Sequence, residues 1–241
     1  GDVFKDPSDF IMGERANYST NKAPVTLSLQ QDGGENVLMA AFDRNDMLNL
    51  TMTVVRNLKN SDDCTLIMNV QDKETHTLLD VENIVDSAFL PLSYPTQDVS
   101  EFINAINTMV MKRLDSAGPY KPVYILLVQW ERAPGIGVDI NYKLGDQFKE
   151  LLRKAPTVGV HFIFACREKL DMQRYIPASC NHRFVGLMPK DSGFFCENST
   201  KAEKLPDANK DAGLFALYEF GTQLTKLRIY QNKFTKEIKS R

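Results

Sequence analysis

The chain has 241 residues, 43% of them hydrophobic and 25% charged, ordinary globular values with length enough to bury a core in one α/β domain or two small ones. Its 29 basic and 31 acidic residues give a net charge of -2, which argues against a dedicated phosphate-neutralising surface while leaving room for a local patch. No apolar run approaches the roughly 20 residues of a membrane helix, and the start does not read as a signal peptide. Gly1 followed at once by an acidic, loop-like stretch reads as the start of a piece cut from a larger protein.

Residues 1–23 read as irregular. Val25 to Leu29 alternate as an edge or lid strand, and Gln31 to Glu35 make a turn. Val37 to Phe42 is apolar throughout, as strands covered on both faces are. After a short turn, Met47, Leu50, Val54, Val55 and Leu58 recur at helical spacing, with Asp43 or Asn45 placed to cap. Thr65 to Val70 is a strand, Leu78 to Ser87 a helix and Ala88 to Leu92 a short strand. Asp98 to Leu114 is amphipathic, with Val99, Phe102, Ile103, Ile106, Met109, Val110 and Leu114 on one face. Val123 to Val128 is the most apolar strand. Asn141 to Lys154 reads as a helix, Gly159 to Cys166 as a buried strand and Arg183 to Leu187 as a shorter one. Gly213 to Phe220 and Leu224 to Tyr230 pair as a hairpin around Gly221, and residues 232–241 form a basic tail. Cys64, Cys166, Cys180 and Cys196 lack metal-ligand spacing, as do His76, His161 and His182, so no metal site is expected and the thiols read as reduced and cytoplasmic.

Apolar strands alternating with amphipathic helices imply a mainly parallel sheet with helices on both faces. Ligands of such sheets bind beyond the carboxyl ends of the strands. The strand, turn and helix between Asn36 and Leu58 stand where a P-loop would be. A P-loop needs glycines to bring backbone N–H groups to phosphate, a lysine for the terminal phosphates and a Ser/Thr for Mg²⁺. Here the turn reads Phe42-Asp43-Arg44-Asn45-Asp46-Met47-Leu48-Asn49, with no glycine, no lysine and two carboxylates that repel polyphosphate. The strand Val123 to Val128 should end in an acidic pair, and ends in Gln129-Trp130-Glu131-Arg132. Glu131 is either a displaced acid, which period-two alternation would face the wrong way, or a solvated carboxylate.

From Val25 to Gln231 the order of pieces resembles the FtsK/SpoIIIE family, ring-forming RecA-like motors that translocate DNA or drive type VII protein export. Glu35 to Ala41 resembles the strand entering the family's Walker A loop. Asn45 to Asn49 falls where the family has Gly-Ser-Gly-Lys-Ser, with Leu48 for the lysine and Asn49 for the serine. Gln129-Trp130 falls at the Walker B Asp-Glu. Gly159-Val160-His161-Phe162-Ile163-Phe164-Ala165 is similar to the family's Gly-Ile-His-Leu-Ile-Leu-Ala, which continues into Thr-Gln-Arg where this chain has Cys166-Arg167-Glu168. Asn181 to Val185, Asp191-Ser192 and Asp207 to Leu217 resemble the family's later stations. The resemblance implies a RecA-like P-loop-NTPase-type three-layer α/β fold over residues 24–231, ending in a β-hairpin.

Every departure falls on a catalytic position, so no catalytic residue carries over. Asp43, Arg44, Asn45, Asp46, Leu48, Asn49, Gln129, Trp130, Glu131 and Arg167 are the nucleotide-site remnants. The resemblance implies a degenerate domain of a larger translocase, without ATPase activity of its own. Its partners would be other ATPase domains of the same or neighbouring subunits in a ring, with DNA or secreted protein as cargo. The expected location is cytoplasmic, without membrane contact by this segment. The alternatives are a working ATPase using ATP and Mg²⁺, and a cargo-binding domain of the type VII kind. His161 reads as a structural histidine or a proton shuttle. Trp130 either stacks on a ligand or plugs the vacated nucleotide space. Arg44, Arg132 and Arg167 either converge on an anion, serve as a finger for a neighbour's nucleotide, or pair with Asp43, Glu131 and Glu168. Lys233, Lys236, Lys239 and Arg241 read as a solvated tail or a minor DNA or partner contact.

Overall fold

The computed structural model describes residues 9–16, 23–59, 64–79, 99–133, 142–206 and 214–229. The described strands are β1 (Asp9–Arg15), β2 (Pro24–Ser28), β3 (Val37–Ala40), β4 (Thr65–Val70), β5 (Val123–Val128), β6 (Val160–Cys166), β7 (His182–Val185), β8 (Leu214–Phe220) and β9 (Gln223–Ile229). They form one sheet in the order β2-β1-β9-β8-β7-β3-β6-β5-β4. The main helices are α1 (Arg44–Lys59), α2 (Lys73–Leu79), α3 (Ser100–Leu114) and α4 (Tyr142–Lys154).

The parallel half is built from the apolar runs. β3, β5 and β6 are buried at every position, as nearly apolar runs with His161 as their one strongly polar side chain lead one to expect of strands covered on both sides. Alternation sends Leu38, Ala40, Ile125, Leu127, Phe162 and Phe164 to one face. There they meet Ile103, Ile106 and Val110 of α3 and Phe148, Leu151 and Leu152 of α4. Val37, Met39, Tyr124, Leu126, Ile163 and Ala165 point to the other face, where Met47, Leu48, Leu50, Val54, Val55 and Leu58 of α1 cover them. Helices on both faces are thus a direct consequence of strands without a polar side.

The expected α/β fold with helices on both faces is present on a mixed sheet: β4, β5, β6, β3 and β7 run parallel, while β7-β8, β8-β9, β9-β1 and β1-β2 pair antiparallel. One expectation is corrected. The segment read as irregular contains β1, which bridges β2 and β9. Its apolar side chains Phe10 and Met12 are buried, and Asn57 of α1 binds Ile11 through both its N–H (2.9 Å) and its carbonyl (3.1 Å). The C-terminal hairpin is present as β8 and β9. The proposed helix from Leu78 to Ser87 overlaps only the end of α2. The proposed strand at Ala88 to Leu92 and the tail at 232–241 lie outside the described residues.

Candidate functional site

β3 and β6 lie side by side at the centre of the sheet, yet the chain leaves β3 towards the far edge at β4 and leaves β6 towards β7 on the other side of β3. This reversal of direction opens the crevice where α/β sheets hold ligands. The carboxyl ends of β3, β5 and β6 deliver Asp43 and Arg44, Gln129 to Arg132, and Arg167 and Glu168 to it.

Only Ala41, Phe42 and Asp43 separate β3 from α1. Asp43 Oδ1 accepts the N–H groups of Asn45 (2.8 Å) and Asp46 (3.3 Å). This is a side-chain N-cap, and it satisfies the amides that a helix start otherwise offers to an anion. Arg44 pairs with Glu74 at 2.6 Å and with Asp72 at 4.0 Å, not with the neighbouring Asp43. Asp72 accepts the Thr75 N–H at 2.8 Å. Burial raises its acid, but the Thr75 hydrogen bonds together with Arg44 and Arg132 outweigh burial and hold it below its ordinary value.

The end of β5 is a buried polar knot. Gln129 is fully buried in the left-handed region (φ 55°), and its carbonyl accepts the Thr75 hydroxyl. Trp130 donates its indole N–H to Asn69 Oδ1 at 2.8 Å. It packs on Phe102 and Phe148, with ring centroids 5.6 and 5.7 Å away. Glu131 Oε1 accepts the Arg167 N–H at 2.8 Å. Burial pushes the Glu131 acid up to about 7, against the pull of the backbone N–H groups and Arg132. Buried Asn69 Nδ2, Gln129 Nε2 and Glu131 Oε2 have no hydrogen-bond partner among the described residues. Arg132 pairs with Glu168 at 3.2 Å, and Arg167 Nε donates to the Phe42 carbonyl at 3.0 Å.

Several site expectations change. Glu131 is neither solvated nor turned away by strand alternation, because it stands in the 3-10 turn Trp130–Arg132, where period two no longer applies. Trp130 is 1% exposed. It sits in the core beneath α3 and α4, on the opposite face from α1, so it neither stacks on a ligand nor fills space above the β3–α1 turn. His161 is buried, with Nδ1 2.7 Å from the Glu35 carbonyl. Burial lowers its pKa, against the pull of Glu35. At the amino ends of the strands, His182 lies 2.8 Å from both Glu35 Oε2 and the Tyr218 hydroxyl. That buried network and the residues Asn69, Asp72 and Thr75 escaped the sequence reading. A lone Asn inside the apolar run Thr65–Val70 was the available signal.

No protein-family profile matches the chain, and no curated protein matches it. Solved structures do. Thermomonospora curvata EccC (ATPases 2 and 3, in complex with a signal sequence peptide) matches with a TM-score of 0.70 at 12% identity, over 100% of this chain and 47% of that one. The pCW3 conjugation coupling protein TcpA, with ATPγS, matches at 0.68 and 12% identity, over 99% of this chain and 72% of that one. EssC (ATPases 2 and 3) from Geobacillus thermodenitrificans matches at 0.68 and 10% identity, over 96% and 47%. This chain has the fold of the FtsK/SpoIIIE-type ATPase domains. It spans less than half the length of those EccC and EssC chains.

Asn45 to Asn49, expected at the position of the family's Gly-Ser-Gly-Lys-Ser, do not form a loop. Asn45 to Asn49 are already helical, because α1 begins at Arg44. Leu48 is fully buried in the core face under α1, and Asn49 is 4% exposed. Of the ten candidate site residues, Asp43, Arg44, Gln129, Trp130, Glu131 and Arg167 gather at the strand ends. Asp46, Leu48 and Asn49 are buried within the first turns of the helix, and Asn45 is half-buried at its start. Among the described residues, no group of His, Cys, Asp and Glu could hold a metal ion, and no helix is long and apolar enough to cross a membrane.

Proposed function

We propose that this domain is a non-catalytic member of an FtsK/SpoIIIE-like translocase. In this reading it works on the cytoplasmic side through ring assembly, regulation or cargo recognition, beside ATPase domains of the same or neighbouring subunits. The observation that carries it is the Asp43 carboxylate on the first amides of α1. In a P-loop fold those amides face phosphate, and a fixed anion in their place repels a second one. The three-residue turn adds to this, since without glycines it gives a triphosphate no backbone cradle.

Thermal unfolding with and without millimolar Mg-ATP tests the reading. A ligand held only by the folded state at 100 times its dissociation constant adds about 2.7 kcal/mol, several degrees in a domain of this size. The expected result is no shift; a saturable shift overturns the proposal. The competing reading, an ATP-hydrolysing motor domain, has Glu131 in its favour, since an acid titrating at about 7 suits a general base. It requires turnover that Glu131→Gln abolishes. For cargo, the EccC match was solved with a signal sequence peptide, while the similarly matching TcpA is a conjugation coupling protein and B204 a DNA-packaging ATPase, so the reading admits a secreted protein or DNA. Binding assays with a signal peptide and with duplex DNA separate the two.

A further inference from the structure

Glu131 is 7% exposed and is one link between the ends of β5 and β6, beside the Gln129 N–H on the Ala165 carbonyl and the Arg132–Glu168 pair. One oxygen takes the Arg167 N–H. The other is buried with no hydrogen-bond partner among the described residues, the Glu168 N–H and the Cys166 thiol lying beside the carboxyl; such burial is costly for an anion and easy for a neutral acid. The Arg132 guanidinium acts on it electrostatically, yet no ion pair forms with it among the described residues. Arg132, on the same turn, is 40% exposed and held by Glu168. Arg167 is turned to the Phe42 carbonyl. The turn is entered through Gln129 in the left-handed region, which is disfavoured for a residue with a Cβ and is held there by its neighbours.

We propose that Glu131 is a proton-operated latch on the rim: neutral, it lies buried beneath Arg167; ionised, it takes Arg132 from Glu168 and loosens the end of β5 from the end of β6. The proton leaves to solvent and no other bond changes. The titratable and charged groups around it fit this exchange. From its own turn comes Arg132. From the end of β6 come Cys166, Arg167 and Glu168. The Cys166 thiol, with Cys180 nearby, is pushed up by burial and by Glu131 itself and stays protonated. Asp72, beyond β4, also draws on Arg132 and competes for it. On the helical side the turn meets Phe102 and Phe148, which carry no charge. With its acid pushed up to about 7 by burial, the exchange falls within the physiological range.

Trp130 is the only tryptophan in the chain and adjoins Glu131, so its emission reads the turn. The full chain and the variants Glu131→Gln, Glu168→Gln and Arg132→Gln are titrated from pH 5 to 9. A single step near neutrality is expected, absent in Glu131→Gln. Freeing Arg132 by Glu168→Gln lowers the midpoint by half a pH unit or more, and Arg132→Gln raises it. The ¹³C shift of the Glu131 carboxyl carbon gives the same midpoint in the unsubstituted protein and does not depend on any variant folding. No step, a step that survives Glu131→Gln, a carboxyl midpoint below pH 5, or midpoints that ignore both Arg132 and Glu168 would overturn the latch.

Discussion

Burial acts on Glu131 and on the two core histidines with opposite consequences for pH. The folded-state acid of Glu131 lies near 7, against a reference of 4.5. Between those values the folded chain keeps a proton that the unfolded chain has released. Stability therefore falls as pH rises through that window and stays low above it, by up to about 3 kcal/mol. His161 and His182 are lowered, first by burial. The unfolded chain takes up their protons first as pH drops below the 6.5 reference, so stability falls on the acid side. Glutamine keeps a carbonyl for the Arg167 N–H without the buried charge. Glu131→Gln is therefore expected to raise the melting temperature by several degrees at pH 8 and to leave it nearly unchanged at pH 5. Melting curves at the two pH values measure this; equal shifts at both would contradict a buried, titrating Glu131.

At the scale of the element, α1 sets what a single substitution in its first turns can do. Asp43→Ala removes the cap on Asn45 and Asp46 and is expected to cost about 1 kcal/mol, readable in urea denaturation as a lower midpoint at constant slope. Leu48→Lys restores the family's lysine on paper, but Leu48 is fully buried against β3 and its neighbours. The ammonium would lie in the core rather than at the rim. The variant is expected to lose several kcal/mol of stability and to gain no ATP-dependent thermal shift; tight ATP binding would refute this placement. The sequence disclosed the missing glycines and lysine and the strands β3 to β6, because unbroken apolar runs such as Val123 to Val128 admit few other structures. It left the cap open between Asp43 and Asn45, and the structure places it on Asp43. It did not disclose the burial of Glu131, which depends on the left-handed Gln129 and on Thr75, far away in sequence.

At the scale of the whole molecule, the sheet joins the two halves of the chain through β1. That strand pairs with β2 on one side and with β9, near the other end of the sequence, on the other. It was hard to read because its alternation, Phe10 then Met12, is interrupted by the register shift between Ile11 and Gly13. The interruption is itself structural. A Cβ on Gly13 would lie 2.3 Å from the Arg228 carbonyl oxygen, a backbone atom with no rotamer by which to yield. Gly13→Ala therefore has to push β1 away from β9, at a cost of about 1–3 kcal/mol typical of overpacking. Deleting residues 1–16 goes further. It leaves β2 without a partner, uncovers the β9 edge, and strips Phe10 and Met12 from the face beneath α1. An uncovered edge is a template for pairing with another chain. The truncated protein is expected to melt well below the full chain and to elute from size exclusion as higher species, while Gly13→Ala stays monodisperse with a smaller loss. A truncation that melts like the full chain would mean that β1 merely decorates the sheet and that the parallel half carries the stability alone.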